Sequence, residues 1–99
     1  MLIEKIIGEI KSRRVRFINR KAKLERIALL KTYRNMGFGK KIMVYLIRYC
    51  QRKKVSKIVL HSQYYVKDFY AKFGFKPEGK VFLDAGIKHV KMYKNKKKN

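Results

Sequence analysis

Apolar and polar positions change period several times along the chain. From Ile3 to Ile10 they alternate loosely, predicting a strand over Ile6-Ile7-Gly8-Glu9-Ile10. A basic stretch runs from Lys11 to Lys23, within which Val15, Phe17 and Ile18 supply part of a second strand. Leu24 to Leu30 is a mostly apolar run and predicts a buried strand. Thr32-Tyr33-Arg34-Asn35-Met36-Gly37-Phe38-Gly39 then turns the chain and opens a helix. Ile42, Leu46, Tyr49 and Cys50 recur there at helical spacing, flanked by Met43 and Ile47. Arg48, Arg52, Lys53 and Lys54 gather at its C-terminal end, where they suit the helix dipole. Lys57 to His61 predicts a second buried strand. Val66, Phe69, Tyr70 and Phe73 fall at i, i+3, i+4 and i+7, a short helix with Gly74 as its C-cap. Val81-Phe82-Leu83 and His89 to Tyr93 predict a closing pair of strands joined through Asp84-Ala85-Gly86. The core order is therefore β-α-β-α-β-β. Its first β-α-β needs parallel strands and a right-handed crossover, and its end is antiparallel. The expected fold class is α/β with a mixed sheet.

Length adds that this is one domain. We assign residues 1–93 to it and 94–99, Lys-Asn-Lys-Lys-Lys-Asn, to a basic disordered tail. No apolar run approaches the roughly 20 residues of a membrane helix, and the start does not read as a signal peptide. With one cysteine there is no internal disulfide, and with two histidines besides, a zinc site is not expected. These features fit a reducing, cytoplasmic location. Lys and Arg number 28 against 6 acids, a formal charge of +22 among 99 residues. Hydrophobic residues make up 46%, too many for a disordered polycation. The excess is spread along the chain, so it fits either a solvated lysine-rich surface or a polyanionic partner.

Arg34-x-x-Gly37-x-Gly39 adds chemistry to the predicted helix start. Two glycines permit close backbone approach. The first helical turn offers unpaired N–H groups and a positive dipole end, which bind anions. Arg34, Lys40 and Lys41 surround the same point, so the expected ligand is a pyrophosphate. The Walker A pattern fails, because Lys41 follows Lys40 where Ser or Thr is required. The dinucleotide fingerprint fails at Ile42. A glycine turn used only for packing remains the alternative.

Leu29-x-Lys31-x-x-Arg34-x-x-Gly37-x-Gly39 resembles motif A of the Gcn5-related N-acetyltransferases, and Asp68-Phe69-Tyr70-Ala71-Lys72-Phe73-Gly74-Phe75 is similar to their F-Y-x-x-x-G-F signature. Phe82 to Met92 is similar to the C-terminal end of the ElaA-like branch. The three blocks stand in the family's order over about residues 3–93. The resemblance implies acetyl transfer from acetyl-CoA to an amine on a GNAT fold. Most members begin with an extra strand and one or two helices that shape the acceptor side. The chain starts too late to contain them, so that half would be absent, reduced or supplied by a partner subunit, for example in a homodimer.

The resemblance also implies roles. Backbone N–H groups of Ile27, Ala28 and Leu29 would pair with the pantetheine arm and face the oxyanion. Those of Asn35, Met36, Gly37, Phe38, Gly39 and Lys40, with the Arg34 side chain, would meet the pyrophosphate. Tyr70 would protonate the leaving thiolate, although its place on the apolar stripe equally suits the core. Glu25 is the first candidate base. A salt bridge is its alternative, and surrounding cations would weaken it as a base. His61, at a strand end, is the second candidate. His89 is expected to fix the last hairpin, and Cys50 to pack in the core. A phosphorylated amino sugar such as glucosamine 6-phosphate would suit a basic pocket. Two other readings compete: a nucleic-acid-binding module, for which no recognisable RNA-binding signature is present and which reduces to nonspecific polyanion binding, and a CoA-binding domain without catalysis.

Overall fold

The computed structural model describes Gly8, residues 15–24 and residues 39–96. Within the expected first strand, Ile6 to Ile10, Gly8 is the described residue and it is helical, so the strand expected there is corrected at that position. Glu25, Ile27 to Leu29 and Arg34 to Phe38 lie outside the described residues. Among the described residues the elements in order are β1 (Val15–Ile18), β2 (Lys21–Leu24), α1 (Gly39–Arg52), β3 (Lys57–Gln63), a 3-10 turn (Tyr64–Val66), α2 (Lys67–Ala71), β4 (Lys76–Asp84) and β5 (Ile87–Asn95).

The strands form one sheet in the order β1-β2-β3-β5-β4. β1 and β2 make a hairpin over Asn19-Arg20, both at positive φ (49° and 64°), the backbone that a tight two-residue hairpin turn requires. β2 and β3 run parallel across α1, with Lys21 opposite Lys57 and Leu24 opposite Leu60. This is a β-α-β unit of the predicted kind, but its described first strand is Lys21–Leu24 and shares only Leu24 with the strand expected over Leu24 to Leu30. β3, β5 and β4 are antiparallel to one another in turn. β4, an edge strand, carries Pro77 and a register shift between Glu78 and Phe82. Proline and irregular pairing blunt an edge that would otherwise invite another strand.

Alternation sorts the sheet into two faces. Ala22, Leu24, Ile58, Leu60, Val90 and Met92 point to one side and pack with Ile42, Met43, Leu46 and Cys50 of α1, joined by Val15, Val55, Tyr70 and Phe75. Met43 is fully buried and stands at the centre of the α1 stripe, while Tyr49, expected within it, is only half-buried. The other face mixes polar with apolar residues, with Val59 buried on it and Tyr93 and Phe82 beside the charged groups. Lys23, Lys57, His61, Lys91 and Glu78 occupy it, with Glu78 Oε2 between Lys57 Nζ (3.7 Å) and Lys91 Nζ (3.8 Å).

Three further expectations need correction. β5 continues to Asn95, two residues into the expected disordered tail: Lys94 pairs with Ile58 and Asn95 with Lys57. The Lys96 N–H then donates to the Ser56 carbonyl at 2.9 Å. Backbone pairing takes no account of side-chain charge, and β3 offers a full partner edge there. β4 begins at Lys76, not Val81. The second helical segment opens as a 3-10 turn and is α-helical only over Lys67–Ala71. Gly74 follows it at φ +90°, as expected of a helix stop.

Candidate active site

Two regions hold the candidate residues. The first is the start of α1. Gly39 opens the helix and is buried, while Lys40 and Lys41 are exposed on the first turn. No acid stands there. Acidic side chains normally favour a helix N-terminus and cations oppose its dipole. A first turn with two lysines is therefore electrically suited to an anion that satisfies both them and the helical N–H groups.

The second region lies around His61 on β3, opposite Lys91 of β5. His61 is exposed on the mixed face of the sheet. Its ring meets Phe82 edge-on, with centroids 5.1 Å apart at 74°. Phe82 in turn stacks on His89 at 5.9 Å and 27°. His89 Nδ1 lies 2.8 Å from the Ile87 carbonyl oxygen and so can donate to it, a contact local to the start of β5. Partial burial pushes the His61 imidazole below its ordinary value, aided by Lys23, Lys91 and His89, with Asp84 acting in the opposite direction. Phe82 is the member of this row that its sequence pattern left as a plain strand residue.

Tyr70 lies elsewhere. It is buried in the α1-side cluster, edge-on to Phe69 at 5.2 Å and to Phe75 at 6.3 Å. Tyr70 and His61 thus belong to opposite sides of the sheet. Cys50 is fully buried in the core, as expected. Among the described residues, no helix is long and apolar enough to cross a membrane.

The acetyltransferase (GNAT) domain profile matches residues 3–96. A Bacillus subtilis protein named as an acetyltransferase is 41% identical over 81 residues, which is 82% of this chain and 55% of that one. The fold is shared with a crystal structure from Lactobacillus plantarum named for N-acetyltransferase, at TM-score 0.70 and 16% identity over 82% of this chain and 56% of that one. It is also shared with a Bacillus subtilis acetyltransferase solved in complex with CoA, at TM-score 0.56 and 16% identity over 82% and 65%. The chain spans about half the length of the curated relatives it matches. With the profile covering nearly its whole length and the parallel β-α-β unit in place, the chain belongs to the Gcn5-related N-acetyltransferase (GNAT) family.

Proposed function

We propose that the chain transfers an acetyl group from acetyl-CoA to a primary amine of a small acceptor. The observation that carries this reading is the start of α1: a buried Gly39, two exposed lysines and no acid, at the crossover of a parallel β-α-β unit. In this reading Arg34 and the N–H groups of Asn35 to Lys40 hold the pyrophosphate. The backbone of Ile27 to Leu29 lines the pantetheine and polarises the thioester oxygen. Tyr70 returns a proton to the departing thiolate. An anionic acceptor such as glucosamine 6-phosphate suits the excess of cations. The CoA held by the structurally similar Bacillus subtilis acetyltransferase supports the choice of cofactor.

Thermal melting with acetyl-CoA tests the reading. A ligand at a hundred times its Kd stabilises by about 2.7 kcal/mol, and each kcal/mol moves Tm by about 4–8 °C in a domain of this size. Millimolar acetyl-CoA should therefore raise Tm by about 10 °C or more if Kd lies near 10 μM. Lys40→Glu with Lys41→Glu, both exposed, should remove most of the shift. An unchanged Tm at millimolar acetyl-CoA contradicts the proposal.

A further inference from the structure

Acetyl transfer needs a group to take the proton of the attacking amine, and the outer sheet face holds one in a defined setting. His61 lies on β3 opposite Lys91 of β5, and its side chain is exposed. Its ring is not left to swing freely: it rests on the edge of Phe82, which is itself stacked on His89. His89 is anchored by its contact with the Ile87 carbonyl. The imidazole is thus placed by packing yet accessible from solvent. Tyr70, the acid of the reading above, belongs to the opposite side of the sheet.

We propose that His61 is the general base of acetyl transfer, receiving the proton of an acceptor amine that approaches from the outer sheet face. The inference rests on the N-acetyltransferase reading. The nitrogen lone pair forms the C–N bond to the thioester carbonyl carbon, and the N–H proton passes to a ring nitrogen of His61. The C–S bond breaks with its electron pair on sulfur, and the thiolate takes a proton from Tyr70. Amide and CoA thiol leave; the imidazolium then gives its proton to water, and Tyr70 regains one.

The surroundings of His61 suit an imidazole better than a carboxylate, because neighbouring cations hold a carboxylate ionised and weakly basic. The same charges keep an imidazole neutral, the form that accepts a proton. The groups that face His61 are Lys23 from β2, Lys91 and His89 from β5, and Asp84 from β4. Glu78 is engaged by Lys57 and Lys91. Partial burial first, and then Lys23, Lys91 and His89, hold the His61 imidazole below its ordinary value, which favours the neutral, proton-accepting form.

The test follows release of the CoA thiol from acetyl-CoA by the full chain with a panel of primary amines including glucosamine 6-phosphate. Wild type, His61→Gln and His61→Ala are compared across pH, and the acetyl-CoA melting shift is recorded for each. His61→Gln should keep the melting shift and lose about a hundredfold or more in transfer rate. The acid limb of the wild-type profile should fall below the ordinary imidazole value of about 6.5 and vanish in His61→Gln. Added imidazole should restore part of the activity of His61→Ala, which a purely structural role would not allow. Retention of the acid limb with a loss below about threefold overturns the assignment, since base catalysis is worth far more. So does a wild-type chain that acetyl-CoA stabilises but that acetylates none of the amines. Absence of that stabilisation in wild type overturns the N-acetyltransferase reading instead.

Discussion

Burial in the α1 core removes Cys50 from solvent, and desolvation pushes its thiol up to about 11. The thiolate is the reactive form, so a disulfide reagent should label the native protein slowly and the guanidinium-unfolded protein at once. Rapid labelling of the native chain would contradict this packing. The same inertness leaves the CoA thiol as the reporting group in the transfer assay. Gly74 is a second residue whose role the chain order announces, because it stands one place beyond an i, i+3, i+4, i+7 apolar set. Its φ of +90° is a region that side chains with a Cβ resist. Gly74→Ala should cost about 1–2 kcal/mol and lower Tm by several degrees, with no loss if the stop is not built this way. His61 is different. Its place on a strand is legible, but β3 runs two residues past the expected end, to Gln63, and the setting of the ring is not legible. Phe82 reaches it only because β5 inserts between β3 and β4, a long-range arrangement that no local pattern encodes.

At the scale of elements, legibility followed the contrast between neighbouring side chains. α1 was readable because Ile42, Leu46 and Cys50 form a stripe among cations. β1 was readable from Val15, Phe17 and Ile18. β2 was harder: in Lys21-Ala22-Lys23-Leu24 the inward residues are a small alanine and a single leucine. The more apolar run from Leu24 onward outweighs it in the pattern. The start of β4 was hidden by Pro77, Gly79 and the register shift, which break alternation while leaving the strand paired. The end of β5 was hidden by its lysines. The β4–β5 turn offers a test of the backbone. Ala85 and Gly86 both hold positive φ, 52° and 77°, as a type I′ turn requires, and Asn is favoured there over Ala. Ala85→Asn should raise Tm by a few degrees, for a gain of about 0.5–1 kcal/mol. A fall in Tm would show that the turn has another geometry.

For the molecule as a whole, the charge of +22 is a weak guide and the helix start a sharper one. Among the described residues most cations are exposed, and several have local engagements of their own. Lys57 stands over the Tyr93 ring at 4.7 Å and Lys67 over Tyr64 at 4.3 Å. Lys40 and Lys41 differ in being set against the positive end of a helix dipole, where only an anion reconciles them. The sheet then divides the labour proposed for this chain: a cofactor phosphate at the α1 start, an acid within the α1-side core, and a base on the outer face. The most direct test is an amide-resolved NMR titration of the full chain with acetyl-CoA. The account predicts that the largest shifts fall on the backbone amides of Gly39, Lys40 and Lys41 and saturate with added ligand. Shifts scattered over surface lysines without saturation, or none at the α1 start, would contradict it.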